Sequence, residues 1–356
     1  MTTRQDLDVM RLALSGQMAP HRPIWLMRQA GRYLPEYREI RSRAGSFLSL
    51  LKTPALAATV TLQPLIRYDL DAAILFSDIL TIPDALGLEL DFTPGEGPCF
   101  RHPIEQPIDL GRLDDTFPYV RLDYVLATIE RIRRELPRNK PLIGFSGSPW
   151  TLACYMIGQG RAREFNDASR WLYIHPEALQ ELLSLLTEHI SRHLINQIEA
   201  GVDIVMLFDS CGGLLPASRY REFSLKPATV VLDRVEACHP GTPSIFFARG
   251  AGSRLEWLRE VPACCLGLDS AISLDQARTL LSPSHTLQGN LDPSVLYGST
   301  ASIHDEVCRM LDQMEKAPGY IFNLGHGIPQ DVDCEKVGFL IDCVHEESRK
   351  RSKHGR

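Results

Sequence analysis

Short apolar runs recur along the chain, each closing on polar residues or glycine. They are IWLM (24–27), AAILFSD (72–78), LIGFSG (142–147), DIVMLFDS (203–210), SIFFARG (244–250), CLGLDS (265–270), TLQGNLD (286–292) and YIFNLGHG (320–327). Most lack polar alternation, as in parallel strands covered on both faces. Helical periodicity lies between them: RLDYVLATIERIRREL (121–136) repeats apolar residues at Leu122, Val125, Leu126, Ile129 and Ile132 before Pro137. A long helix over 177–201 ends at Gly201, and LDQARTLL (274–281) and ASIHDEVCRMLDQMEK (301–316) follow the same pattern. Eight strands alternating with helices predict an α/β chain folded as a single (β/α)8 TIM barrel over 1–356, with a doubly wound sheet as the alternative. A short N-terminal extension precedes it, and SRKRSKHGR (348–356) reads as a frayed basic tail. The Pro- and Gly-rich stretch 89–119 is expected as an excursion after the second strand.

Composition changes this picture only at the margins. The charge balance of 38 − 44 = −6 argues against nucleic-acid binding, and means that an anionic substrate requires a local basic patch. No run approaches the roughly eighteen apolar residues of a membrane span, and MTTRQDLDVM carries no leader pattern, so a soluble cytoplasmic protein is expected. Nine scattered cysteines without a Cys-x-x-Cys pair suggest reduced thiols, with no metal role.

Barrel chemistry sits at the carboxyl ends of the strands. Those ends carry Arg28 and Arg32, Asp78, Ser146, Asp209 and Ser210, Arg249, Asp269, Asn290 and Asp292, and His326. The arginine pair stands out. MRQAGRYLPEYR (27–38) sets two like charges four residues apart, which on an ordinary helix would repel, and Pro35 bars a long helix there. A strand-end loop aimed into a cavity explains the spacing. Arg38, Arg41 and Arg43 then extend a mobile basic loop toward solvent.

Two stretches, PIWLMRQAGRYLPEYR (23–38) and IGFSGSPWTLACYM (143–156), resemble the signatures of the uroporphyrinogen decarboxylase family. ILFSDIL (74–80), FDS (208–210), QGNLDP (288–293) and NLGHGI (323–328) are similar to further blocks of that family, in the same order. One departure is Cys211, where some relatives carry a histidine. The resemblance implies a single-domain barrel, a homodimer, and cofactor-free decarboxylation of the four acetate arms of uroporphyrinogen III to give coproporphyrinogen III. No metal, nucleic acid or membrane is implied.

The chemistry that this implies suits the residues. A pyrrole acetate loses carbon dioxide once the protonated ring can accept the electron pair, so a stabiliser of positive charge and anchors for carboxylates are required. Asp78, the implied catalytic carboxylate, would face the pyrrole N–H groups; the same residue would also serve as an N-cap for ILTIPDAL. Arg28 and Arg32 offer planar forks to carboxylates, or pairing with a surface acid such as Glu36. Gln29, Ala30 and Gly31 lie between them, and Gly31 lets backbone approach a ligand. Tyr155, Ser210 and His326 are the further substrate-binding candidates; packing onto the sheet, capping a turn and filling the core are their respective alternatives. Two rival functions remain. One is a zinc-thiolate methyltransferase on the same barrel, whose ligands EACHP (236–240) does not supply at a strand end; the other is a non-catalytic tetrapyrrole carrier.

Overall fold

A computed structural model of the chain describes residues 8–93, 97–114, 119–158, 166–282, 284–317 and 319–354. Among the described residues, nine strands are formed: β1 (Ala73–Ile74), β2 (Leu90–Thr93), β3 (Gly97–Phe100), β4 (Leu142–Gly147), β5 (Ile204–Asp209), β6 (Ser244–Ala248), β7 (Cys265–Leu268), β8 (Thr286–Gln288) and β9 (Tyr320–Ile321). Seven make one parallel sheet in the order β1-β4-β5-β6-β7-β8-β9, with helices in the connections. β2 and β3 pair as an antiparallel hairpin inside the expected excursion.

The apolar runs are continuous because successive side chains enter two different cores. On β5, Ile204 and Met206 point to the inner cluster while Val205 and Leu207 pack against the outer helices; Ile245 and Phe247 alternate with Phe246 and Ala248 on β6. Parallel register aligns the inward positions, so Phe145, Met206, Ile245, Cys265 and Thr286 form one tier across five strands. The N-terminal extension is part of this interior. Its helix Val9–Leu14, capped by the Asp8 carboxylate, inserts Met10, Ala13 and Leu14 into the inner cluster, and the Thr286 hydroxyl donates to the Ala13 carbonyl at 2.6 Å.

The sequence led us to expect eight strands, and the sheet contains seven. The IWLM run makes a single parallel bridge, Ile24 to Phe322. Its backbone is occupied by other partners. The Asp71 N–H donates to the Ile24 carbonyl at 2.9 Å, and the Asp71 carboxylate accepts from the Ile24 N–H at 2.8 Å. The Leu26 N–H goes to the Gln29 side chain, the Met27 N–H to the Asn323 side chain, and Pro23 has no N–H to give. Side chains thus take N–H groups of this run, while carbonyls of residues 23–27 accept from the backbone N–H groups of Phe322, Asp71 and Ile328.

The tail differs more plainly. Residues 348–354 are the last turns of the helix Cys334–His354, with Ser348 buried and Arg351 paired to Glu347 and Asp312. Two ion pairs on one guanidinium, and a buried serine one turn earlier, hold as helix what the run of like charges suggests would fray. All nine cysteines are free thiols. No helix among the described residues is long and apolar enough to cross a membrane.

Candidate active site

The segment after Ile24 turns sharply over the carboxyl ends of the strands. Arg28 adopts φ +62°, a left-handed conformation that costs a non-glycine residue about 1–3 kcal/mol. Gln29 holds the turn. Only 1% exposed, it accepts from the Leu26 N–H at 3.1 Å and donates to the Ala72 carbonyl at 3.2 Å, while the Tyr33 hydroxyl donates to its backbone carbonyl at 2.8 Å. The Gln29 amide is therefore spent on the loop. With the backbone reversed in this way, the Arg28 side chain lies exposed along a cavity of about 960 Å³.

That cavity brings most of the expected residues together. Arg28, Gln29, Ala30, Gly31, Arg32, Asp78, Ser210 and His326 all line it. Its walls are aromatic and aliphatic, with Phe145, Phe208 and Phe247 from β4, β5 and β6. Three arginines (Arg28, Arg32 and Arg41) face a single carboxylate, that of Asp78. No described carboxylate lies within ion-pair distance of Arg28; Arg32 donates to the Gln330 side chain at 2.8 Å. Glu36, the acid that either arginine might have sought, is instead held bidentately by Arg67 at 2.8 and 2.9 Å.

Asp78 follows β1 and accepts from the Leu80 N–H at 2.8 Å, the capping contact that its position suggested. Burial pushes the carboxyl above its ordinary range, while the Leu80 N–H and Arg28 pull it down. His326 is held neutral, its pKa lowered to about 4 chiefly by burial and further by Arg28 and Arg249. Both glycines flanking it are there for packing: a methyl group at Gly327 would overlap the Arg28 stem, and one at Gly325 would overlap the Ser270 backbone.

Tyr155 is not among the lining residues. It lies on the helix Pro149–Met156, and burial pushes its phenol well above the usual tyrosine range, with Cys211 and Asp78 adding and Arg28 opposing. Four of the remaining strand-end candidates are held within the fold and do not line the cavity. Asp209, fully buried, accepts from the hydroxyls of Ser148 and Ser224 at 2.7 and 2.8 Å, and burial raises its carboxyl. Asp269 receives the N–H groups of Gly250 and Ala271, Asn290 donates to the carbonyls of Asp269 and Ile272, and Asp292 caps the helical turn Pro293–Tyr297.

The uroporphyrinogen decarboxylase family model matches residues 6–347. The chain is 48% identical over 350 residues, covering 98% of both chains, to a uroporphyrinogen decarboxylase of Azoarcus sp. (strain BH72). It is likewise 48% identical to the one of Methylococcus capsulatus, covering 94% of this chain and 96% of the relative. The chain belongs to the uroporphyrinogen decarboxylase family. Among solved structures, a methyltransferase from Methanosarcina mazei shares the fold with a TM-score of 0.77 over 96% of this chain and 98% of its own, at 19% identity.

Within this uroporphyrinogen decarboxylase framework, several residues depart from the sequence reading. Arg38, Arg41 and Arg43 belong to the helix Pro35–Arg43, which Pro35 starts at its first turn, so they form no mobile loop. Arg38 donates to the carbonyls of Arg32 and Tyr33 at 2.7 and 2.9 Å, and Arg41 lines the cavity. Cys211 is buried in the outer core beside Cys154. Phe47 and Phe92 were missed altogether. They stack edge-on with centroids 4.5 Å apart, Phe92 coming from the hairpin, and only distance in the chain hid their meeting. The EACHP ligands are not brought together at the cavity: exposed Cys238 ends the helix Lys226–Cys238, and His239 lies 3.7 Å from Glu199.

Proposed function

We propose that the chain decarboxylates uroporphyrinogen III, converting its four acetate arms to methyls and yielding coproporphyrinogen III in tetrapyrrole biosynthesis. The observation that carries the reading is that Arg28 and Asp78 line one cavity, cationic at its rim and aromatic along its walls. An apolar macrocycle bearing eight carboxylates complements both features. Arg28, Arg32 and Arg41 engage its carboxylates, bidentate where the fork allows. Asp78 accepts hydrogen bonds from the inward pyrrole N–H groups. Neutral His326 and Ser210 complete the polar contacts.

The electron flow is simple. A proton adds to the ring carbon beside the acetate-bearing carbon, making an iminium-like cation. The carboxylate C–C bond breaks, carbon dioxide departs, and its electron pair neutralises the cation as an exocyclic methylene. That methylene is protonated to a methyl and the first proton is returned, so each arm consumes one proton overall. The Asp78 carboxylate lowers the barrier by stabilising the cation in a poorly hydrated site, where such a charge acts strongly. The macrocycle is its own electron sink, so the reading includes no cofactor.

Three further parts of the reading rest on separate supports. The segment 23–27 acts as the eighth stave of a closed barrel, supported by the Ile24–Phe322 bridge on one side and the Asp71–Ile24 hydrogen bonds on the other. The working form is a cytoplasmic homodimer, supported by exposed apolar side chains such as Tyr173, Ile174 and Leu214 on the outer surface. The chain is one domain, supported by an outer core cluster that runs from Ile24 to Val344. Anaerobic incubation with uroporphyrinogen III, resolving products by carboxyl number, tests the activity. Products descending from eight to four carboxyls are expected, with Asp78→Asn slower by at least about 10²-fold. A near-normal rate in Asp78→Asn would remove the aspartate from the mechanism.

A further inference from the structure

Among the described residues, two clusters outside the cavity bring three metal-ligand side chains, histidine and carboxylate included, within reach of one another. In the first, the Asp71 carboxylate lies 3.2 Å from His21 Nε2 and 2.9 Å from His345 Nε2, and also accepts from the Ile24 N–H. Those are hydrogen-bond lengths, and the carboxylate is saturated. This cluster is a clamp across the seam.

The second cluster has different geometry. His304 and Cys308 lie four residues apart on the helix Thr300–Gln313 and so share a face. Glu347 meets them from the packed helix Cys334–His354. His304 Nε2 is 3.7 Å from Glu347 Oε1 and 3.7 Å from Cys308 Sγ, and Cys308 Sγ is 3.7 Å from Glu347 Oε2. Bonds of about 2.3 Å to sulfur and about 2.0–2.1 Å to nitrogen or oxygen place the donors of a tetrahedral zinc ion roughly 3.3–3.6 Å apart. Each edge is within a few tenths of an ångström of that spacing, with Glu347 turning Oε1 to the imidazole and Oε2 to the thiol; the sulfur contacts are within reach of a thiol hydrogen bond, but 3.7 Å is too long for a nitrogen–oxygen one.

We propose that His304, Cys308 and Glu347 bind a divalent cation of the zinc class, with water in the fourth position, and that the ion clamps helix Thr300–Gln313 to helix Cys334–His354. The thiol gives up its proton to solvent on binding, so thiolate and carboxylate together balance the two positive charges. Lys350 pairs with Glu347 Oε1 at 2.6 Å and Arg351 with Oε2 at 2.9 Å. Arg351, also bonded to Asp312 at 2.8 Å, fixes the carboxylate as an outer-shell partner. The His304 side chain is 46% exposed, which gives the ion a path from solvent.

The test uses the full-length protein, reduced and freed of metal by chelator, titrated with Co²⁺ and then Zn²⁺. One equivalent of Co²⁺ is expected to produce a thiolate-to-cobalt charge-transfer absorption, displaced by Zn²⁺, with a rise in Tm. Cys308→Ser should abolish the absorption, and His304→Ala should weaken affinity by more than the roughly 10–100-fold that an outer-shell loss costs. Cys99→Ser should leave both unchanged. Absence of the charge-transfer band in the wild type, or its survival in Cys308→Ser, overturns the proposal.

Discussion

Replacing Gly327 with alanine would place a methyl group where Cγ, Cδ and Nε of Arg28 now lie. The backbone of Gly327 is outside the left-handed region, so alanine is tolerated there and the overlap falls on the arginine alone. Arg28 is exposed along the cavity and its stem is flexible, so it swings aside. Folding free energy should then change by less than about 1 kcal/mol, the scale of a substitution whose clash is absorbed by a mobile side chain. Catalysis should suffer far more. A displaced fork forfeits two charge-assisted hydrogen bonds to substrate, each contributing about 1.5–3 kcal/mol. The lower bound of about 3 kcal/mol corresponds to a loss of kcat/KM of roughly 10²-fold. Steady-state decarboxylation of uroporphyrinogen, paired with urea unfolding, reads both quantities. Gly111→Ala is the control, since a methyl group there meets open space. Wild-type kcat/KM in Gly327→Ala, or a stability loss of several kcal/mol, would show that Gly327 does not set the position of Arg28.

Other expectations concern the seam, the interior and pH. Asp71→Ala should cost about 3–5 kcal/mol in urea unfolding, because it strands two imidazoles and the Ile24 N–H in a buried site. Burial alone would raise the Asp71 carboxyl; His21 and His345 outweigh it and hold it well below the usual carboxylate range. Met10→Ala should cost about 2–5 kcal/mol by opening a cavity in the inner core, with the transition midpoint reporting it. His193 is buried with its pKa lowered to about 4, so the unfolded chain takes up its proton first as pH falls. Stability should therefore decline from about pH 6.5 to 4, and His193→Leu should flatten that slope by up to one proton, about 1.4 kcal/mol per pH unit. His326 contributes in the same direction, so part of the slope should remain.

The apolar runs were legible because both faces of each strand are buried, leaving little polar interruption from Ile204 to Phe208 or from Ser244 to Ala248. IWLM reads like the others, yet its N–H groups go to the side chains of Asp71, Gln29 and Asn323, and nothing local distinguishes those from ladder bonds. In the site, Arg28 and Asp78 could be read from their places at the ends of apolar runs. Arg41, Phe47 and Phe92 could not, because the helix Pro35–Arg43, the following helix and the hairpin converge only in three dimensions. The basic tail misled for a related reason. Glu347 and Asp312, which neutralise Arg351, lie one turn away and on another helix.

The seam has a consequence for how the chain is made. The Ala13 carbonyl receives the Thr286 hydroxyl, the Arg22 guanidinium donates to the carbonyls of Met314, Glu315 and Ala317, and Asp71 awaits His345. A polypeptide leaving the ribosome therefore carries the earlier strands with their inner apolar faces uncovered until nearly the whole length has emerged. Contacts of such wide sequence separation form slowly, and the open trough is adhesive meanwhile. Synthesis of this protein should draw on chaperones, and premature termination before His345 should yield aggregate in place of a smaller working enzyme.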